Sequence, residues 1–164
     1  MAYLLDANVF IQAKNFHYGF DFCPAFWDWL VRGNKAGRVF SIEKVRIELQ
    51  AGTDELAEWA DACGATFFMA PDSAVLPALP RVSQWAGTQN FTPAAANTFL
   101  NVADYWLVAQ ALAQGHTVVT HEKPSDGLRQ IKIPNACIGL NVPYMTLFEM
   151  LRRERARFVL GSAP

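Results

Sequence analysis

The stretch YLLDANV, residues 3–9, decides how the chain is organised. Residues 3–5 form a short apolar run of the kind that makes a buried strand, and the run stops at the acidic residue Asp6. A second run, residues 117–120, is rich in β-branched side chains and is followed two residues later by Glu122. Ligands bind at the carboxyl ends of the strands in an open parallel sheet, so both acids are expected at a functional edge.

Apolar periodicity elsewhere predicts strands that alternate with helices. Further strands are expected at 39–42, at 65–70 and within 131–138, where Pro134 interrupts the run. Helices are expected at 24–33 or 24–37, 43–50, 53–64 capped by Thr53, 92–99, 101–114 and 146–155, with a broken helix at 72–85. This alternation predicts an α/β fold, a three-layer α/β/α arrangement with a central, mostly parallel sheet of four to five strands. A length of 164 residues predicts one domain, 1–164.

The composition excludes some classes of protein. Hydrophobic residues make up 52% of the chain, which is incompatible with a disordered chain, and charged residues only 18%. So little charge is explained equally well by a well-filled core or by a surface that a partner covers. A net charge of −1 gives no overall basic footprint for nucleic acid but does not exclude a nuclease, whose metal site is itself acidic. The one strong basic cluster, Arg152, Arg153, Arg155 and Arg157, is best explained as a solvated helix end.

The cysteines and the N-terminal residues predict where the protein acts. Cys23, Cys63 and Cys137 are odd in number and far apart, so free thiols are expected rather than a disulfide framework or a zinc site. The N-terminal residues lack a basic region and meet Asp6 early, unlike a signal peptide. No apolar run reaches the roughly 18 residues of a membrane span. A cytoplasmic protein is expected.

Two more acids stand out, although each has an ordinary structural explanation. Asp104 opens a long helix, where a negative charge is favourable by about 0.3–1 kcal/mol without any catalytic role. Glu48 lies between Ile47 and Leu49 and can equally be a solvated helix residue. Taken one at a time, each acid is better explained structurally, and only the set of four favours a catalytic site.

Four segments, in their order and rough spacing, resemble PIN domains. They are YLLDANV at 3–9, Glu-Leu at 48–49, ADYWLVAQA at 103–111 and VVTHE at 118–122. The opening YLLDANVFI and the aromatic stretch FDFCPAFWDWL at 20–30 are similar to a bacterial and archaeal PIN-like subfamily, and the toxins of VapC-type toxin–antitoxin pairs share the broader fold. The resemblance implies a PIN-like α/β/α fold and a metal-dependent ribonuclease.

The resemblance also implies a set of site residues. Asp6, Glu48, Asp104 and Glu122 match the family's catalytic and metal-binding acids. Asn8 matches the supporting polar residue of the DxN opening, and Thr120 the hydroxyl that positions metal-bound water. Glu122 stands where Asp is more frequent, which leaves open whether one or two ions bind. The implied ion is Mg²⁺ or Mn²⁺, because hard ions prefer oxygen ligands and compensate the repulsion between carboxylates.

Contacts with substrate are harder to assign from the sequence. Lys14, Arg46 and Lys123 lie near the acids along the chain and can hold RNA phosphates. Phe16, Tyr18 and Trp106 can stack on bases, but core packing is the better explanation for each. His121 is expected to face solvent or to support the site from outside. No Ser-His-Asp pattern is present.

The sequence therefore predicts an endoribonuclease that hydrolyses RNA phosphodiesters through metal-activated water. The resemblance implies that it is the toxin of a type II toxin–antitoxin pair, with an RNA substrate, a homodimeric state and a cognate antitoxin protein as partners. One alternative is a catalytically weak PIN-like interaction module. Another is a phosphoryl-transfer domain of the receiver or haloacid-dehalogenase type, which Asn8 disfavours because those families need a second acid near the first.

Overall fold

A computed structural model describes residues 1–161 as an α/β fold with a five-stranded, all-parallel sheet. The strand order is β3-β2-β1-β4-β5, and helices cover both faces in three layers. The strands are β1 Tyr3–Leu5, β2 Val39–Ile42, β3 Phe68–Met69, β4 Thr117–Val119 and β5 Tyr144–Met145. The helices are α1 Ala7–Gln12, α2 Pro24–Lys35, α3 Glu43–Gln50, α4 Glu55–Phe67, α5 Ala78–Thr88, α6 Pro93–Leu100, α7 Ala103–Gln114, α8 Ile133–Leu140 and α9 Leu147–Arg153. The predicted fold class is confirmed.

The strand β1 lies at the centre of the sheet, between β2 and β4. Leu4 pairs with Phe40 of β2 and with Val118 of β4. All three residues of β1 are buried, as expected for a strand whose two faces are both covered by helices. Because every strand is parallel, the residues that follow β1 and β4 meet at one edge of the sheet.

Two helical layers position the chain around this edge. On one side α5, α6, α7 and α8 pack on one another, and on the other α2 and α4 pack against β2. The helix α3 contacts both α4 and α7. The helix α7 ends at Gly115, whose φ of 70° is the left-handed conformation that a glycine adopts at a helix end without strain. The contact between α3 and α7 matters for the site, because each helix bears one of the predicted acids.

A π-helix, Ala13–His17, follows α1 directly. Such segments are rare, and many occur at functional sites. The sequence indicated only mixed character between residues 7 and 22. The π-helix begins seven residues after Asp6, and it presents Phe16 and His17 to solvent.

The prediction of a strand within 131–138 is wrong. Residues 133–140 form α8, and the fifth strand follows it. Pro134 lies in the first turn of α8, where a missing N–H costs nothing, so it starts this helix rather than interrupting a strand. Ile133, Ala136 and Cys137 are buried at the i, i+3, i+4 spacing of a helix.

Three smaller boundaries also differ. Asp54, not Thr53, caps α4, because its carboxylate accepts from the N–H of Ala57 at 3.1 Å. The helix α4 continues past Gly64 with one non-helical residue, which leaves β3 only two residues long. The broken helix predicted at 72–85 is instead α5, which begins at Ala78, continues to Thr88 and has Pro80 in its first turn.

The helices α5 and α8 approach each other closely at Gly139. A Cβ at this position would collide with the indole of Trp85 on α5. A side chain here would therefore require either Trp85 or α8 to shift.

Candidate active site

Asp6 is held at the carboxyl edge of the sheet by the strands themselves. Its backbone N–H donates to the carbonyl of Val119 at 2.9 Å, so the pairing of β1 with β4 extends to this residue. Its side chain is buried, and the Thr120 hydroxyl donates to Oδ2 at 2.9 Å. The same hydroxyl oxygen accepts from the N–H of Glu122 at 3.1 Å. Thr120 thus connects two of the predicted acids.

Glu122 is oriented by the helix that the sequence did not predict. Its Oε2 accepts a 2.7 Å hydrogen bond from the N–H of Ile133, the first residue of α8. A carboxylate at a helix N-terminus satisfies a free backbone donor and is stabilised by the helix dipole. This contact defines where the Glu122 carboxylate lies relative to Asp6.

Asp104 and Glu48 come together through the contact between α7 and α3. Asp104 lies in the first turn of α7, one residue after Ala103. Burial raises the pKa of Glu48, and the backbone amide of Ala103 opposes that rise, which places Glu48 beside the start of α7. Two acids that are 56 positions apart in the sequence are therefore neighbours.

The pKa shifts connect the four acids into one cluster. Burial, then the charge of Asp104 and to a smaller degree that of Glu122, raise the pKa of Asp6 to about 7, against the opposing hydrogen bond from Thr120. Burial, then the charges of Glu122 and Glu48, raise the pKa of Asp104 to about 6. Shifts of this size by burial and like charge are typical of functional sites, although structural networks also produce them.

Lys132 is a cation at this cluster that the sequence analysis missed. Its charge lowers the pKa of Asp104, against the larger effects that raise it. Lys132 is the N-cap residue of α8, immediately before Ile133. Had Pro134 been recognised as a first-turn residue, Lys132 would have been placed at the start of a helix, at the same edge as Glu122.

The other predicted contact residues are less closely tied to the cluster. Lys14 forms a 2.8 Å ion pair with Asp54, although it also lines a cleft of about 150 Å³ with Glu48. Arg46 pairs with Asp61 of α4 at 3.0 Å. Asn8 and Lys123 are exposed, and neither side chain has a hydrogen bond within residues 1–161.

The aromatic residues divide into core and surface. Tyr18 stacks on the buried Phe26 with ring centroids 4.5 Å apart, which agrees with a packing role. Trp106 lies under the ammonium group of Lys44, 4.7 Å from the ring centroid. Phe16, in contrast, is 72% exposed on the π-helix.

His121 lies in a small ring cluster beside the acids. Its ring is 5.7 Å from that of His17 and 5.7 Å from that of Phe148. Burial, then the charge of His17, lower the pKa of His121. The histidine is half-buried rather than fully solvent-facing, and it follows Thr120 directly.

The chemistry of the four acids fits a hard divalent ion. All the donors are carboxylate oxygens, and within residues 1–161 none of the four forms an ion pair with Lys or Arg. In the same residues no three His, Cys, Asp or Glu side chains are spaced to share one ion as they stand. Mg²⁺ commonly takes only one or two protein carboxylates and completes its shell with water and phosphate oxygens. Asp6, which is buried, and Asp104, which is partly buried, both have raised pKa values and are the donors that such an ion would stabilise most.

Comparison with protein families gives one match over nearly the whole chain. The model of DUF4411, a domain of unknown function, matches residues 3–158. The chain belongs to the DUF4411 family. Comparison with curated proteins gave no match for this DUF4411 chain, and comparison with solved structures gave none either.

Two expectations on cellular context can be compared with the structure of this DUF4411 domain. Cys23, Cys63 and Cys137 are all free thiols, as expected. In the part of the chain that the structure describes, no helix has both the length and the apolar character needed to cross a bilayer.

Proposed function

We propose that this DUF4411 domain is a PIN-type endoribonuclease that uses Mg²⁺ or Mn²⁺ to hydrolyse RNA phosphodiesters. The observation that carries the proposal is the cluster of Asp6, Asp104, Glu122 and Glu48 at the carboxyl edge of a parallel sheet, where burial and mutual repulsion raise the pKa values of Asp6 and Asp104. Lys132 offsets this repulsion only in part, so the acids oppose folding, and a function that needs them is the best explanation.

The resemblance to PIN domains supports the same proposal from the sequence. The four positions that match the family's acids lie in four separate segments. The charges of Glu48 and Glu122 raise the pKa of Asp104, and the charge of Asp104 raises the pKa of Asp6. Each of the four acids is therefore linked to another. Segments chosen only for their similarity to a motif would not need to meet in space.

Each residue of the site has a distinct task in this proposal. Asp6 and Asp104 would bind the ion, with Glu122 and Glu48 as further oxygen donors. Thr120 fixes the rotation of the Asp6 carboxylate by its hydrogen bond to Oδ2. A bound divalent ion supplies a water of lowered pKa and stabilises charge on the leaving oxygen.

The positive charges of the chain have a complementary task. Lys132, close enough to Asp104 to alter its pKa, would attract the phosphate group to the acids. Lys123 is exposed and without a hydrogen-bonded acid in residues 1–161, so it is available to a neighbouring phosphate. Arg46 contributes less in this proposal, because Asp61 already occupies its guanidinium group.

The proposal is tested by cleavage of a labelled, mixed RNA pool in Mg²⁺, in Mn²⁺ and in EDTA. The wild-type chain should cleave with either ion and not in EDTA. Asp6→Asn and Asp104→Asn should each lower the cleavage rate by about 10²-fold or more. Asp28→Asn, an exposed acid on α2, is the matched control and should cleave normally.

Cleavage that persists in EDTA, or in both site variants, would contradict a metal-dependent nuclease. RNA binding without cleavage in any ion would instead favour the interaction module over the enzyme.

The partners form a further part of the proposal. A homodimer and a cognate antitoxin are supported by the low content of charge and by apolar side chains at the surface near Glu48, where Ile47 is 58% and Ile11 38% exposed. Light scattering on the purified protein tests the dimer. A gene with no small neighbouring gene for a regulatory protein would argue against a toxin.

A further inference from the structure

A second cleft is lined by Asp104, and it shares no lining residue with the cleft that contains Glu48. It has a volume of about 290 Å³. Asp104 forms part of its wall together with residues of α6, of the segment before α7 and of the loop before α8: Thr98, Val102, Arg129, Gln130 and Ile131. The predicted site residues other than Asp104 do not line it.

The loop that forms one wall of this cleft also carries residues of the acid cluster. Residues 120–132 have no regular secondary structure, yet the loop is tied down at several points. The carbonyl of Leu128 accepts from the N–H of Thr92 at 3.0 Å, and Ser125 and Asn135 exchange two hydrogen bonds of 3.0 and 2.8 Å. One anchored loop therefore determines the positions of Glu122, Lys132 and the cleft wall together.

The cleft combines an apolar surface with a free positive charge. Val102 and the buried Ile131 contribute its apolar part, while Thr98 and Gln130 contribute a hydroxyl and an amide. Arg129 is exposed and pairs with no acid in residues 1–161. An unpaired guanidinium group beside a carboxylate cluster is suited to an anionic ligand, because its planar donors match phosphate oxygens.

The size of the cleft limits what it can hold. Small-molecule sites have volumes of roughly 300–1,000 Å³, so this cleft is at the lower limit and has room for one nucleoside. Single-stranded RNA is recognised by contacts to the faces and edges of unstacked bases and to its phosphates. An apolar surface, an amide, a hydroxyl and an arginine supply each of these contacts.

We propose that this cleft binds the nucleoside next to the scissile phosphate of the RNA, with Arg129 on a flanking phosphate. The base lies against Val102 and Ile131, and Thr98 and Gln130 contact its edge. This inference rests on the proposed function, because the ribonuclease supplies the scissile phosphate at Asp104. The 120–132 loop and α6 would then determine the specificity of the enzyme for RNA.

The test compares three variants of the full chain. Arg129→Ala removes the charge, and Thr98→Trp fills the cleft from an exposed position on α6. Arg32→Ala is the matched control, an exposed arginine near the end of α2, where the chain approaches the opposite edge of the sheet.

Two measurements separate nucleotide binding from phosphodiester chemistry. The first is the binding of a fluorescent RNA oligonucleotide in EDTA, followed by anisotropy. The second is turnover of that RNA and of bis(p-nitrophenyl) phosphate, a diester without a nucleoside, in Mn²⁺. We expect Arg129→Ala and Thr98→Trp each to weaken RNA binding by about tenfold. A loss of this size corresponds to one hydrogen bond to a charged group. Their kcat/KM should fall further for RNA than for the small diester.

The outcomes distinguish this inference from the proposed function. If the wild type cleaves RNA and both variants behave like Arg32→Ala, the cleft is not a nucleotide site although the nuclease stands. Equal losses of kcat/KM on both substrates would also contradict a nucleotide site in the cleft, because Arg129 would then act on the acid cluster. If the wild type cleaves neither substrate, the nuclease fails, and the anisotropy result alone decides whether the cleft binds RNA.

Discussion

The two ends of β1 lie only a few residues apart, but the acidic groups beside them have opposite surroundings. At the amino end, Tyr3 donates a 2.7 Å hydrogen bond to Glu154, whose second oxygen accepts from Arg38 at 3.2 Å. At the carboxyl end, the charges of Asp104 and Glu122 act on Asp6, and Thr120 supplies its only side-chain donor in residues 1–161. The first arrangement stabilises the fold and the second opposes it. This difference separates a structural contact from a candidate catalytic one without reference to any relative.

The comparison predicts that Asp6→Asn stabilises the protein when no divalent ion is present. The folded state raises the pKa of Asp6 from 3.8 to about 7, so folding costs more once the group is ionised. Stability of the wild type should fall as pH rises from about 4 to about 7. The gain from Asp6→Asn at pH 8 is at most about 4 kcal/mol, and it should be absent near pH 4.

Urea unfolding in EDTA at pH 5 and pH 8 measures this effect. Asp28→Asn, at an exposed position on α2, serves as the control and should change stability little at either pH. A loss of stability in Asp6→Asn at pH 8 would show that the acid is not opposed by its neighbours.

The two ends of β4 offer a second comparison, with the same substitution at each. Thr120→Val removes the donor to Asp6, and it should lower RNA cleavage by about 10 to 100-fold, as losses of residues that orient metal ligands do. The acidic limb of the pH–rate profile should move to higher pH, since the hydrogen bond from Thr120 lowers the pKa of Asp6.

Thr117→Val is the matched control, because Thr117 is equally buried at the amino end of β4 and donates only to the sulfur of Met1. It should leave both the rate and the pH profile unchanged. Equal losses in the two variants would mean that Thr120 acts through the fold alone.

At the amino end of β1, Tyr3→Phe should destabilise the protein by about 1.5 kcal/mol, because a partly buried hydrogen bond to a charged group is lost. Urea unfolding at pH 7 measures the loss. RNA cleavage by the folded protein should stay at the wild-type rate. The change in the free energy of unfolding therefore has the opposite sign from the change caused by Asp6→Asn. Changes of the same sign would remove the contrast between the two ends of β1.

Lys14→Ala should have the smallest effect. The ion pair between Lys14 and Asp54 is partly exposed, and such pairs contribute about 1 kcal/mol or less. If Lys14 also contacts RNA, the salt dependence of RNA binding should become less steep in the variant. Thermal unfolding and anisotropy at several salt concentrations measure the two effects, and an unchanged salt dependence would remove Lys14 from the RNA contacts.

The strand-end acids could be predicted because their position follows from local pattern alone. An apolar run that stops at Asp6 and another that stops just before Glu122 place both acids at the carboxyl edge of any parallel sheet. Glu48 and Asp104 meet only because α3 contacts α7, a tertiary contact that no local pattern indicates. For those two acids the sequence supplied only a resemblance.

The positive residues beside the acids could not be found in the same way. Pro134 suits both the end of a strand and the first turn of a helix, and the surrounding isoleucines suit either. Assigning these residues to a strand hid Lys132, which lies at the start of α8. Arg46, expected at the site from its closeness to Glu48 in sequence, instead faces α4, because neighbours along a helix point in different directions.

Gly139 connects the position of Glu122 to residues that touch neither acid nor substrate. The helix α8 starts at the amide that holds Glu122 and, six residues and about 9 Å later, meets Trp85 at a point with no room for a methyl group. A short helix moves as one body, so a displacement near its C-terminus also moves its N-terminus. A side chain at 139 would require Trp85 or α8 to shift, and a shift of α8 would carry the Ile133 amide that binds Glu122. The contact between Gly139 and Trp85 therefore bears on the position of Glu122, although neither residue touches the acids.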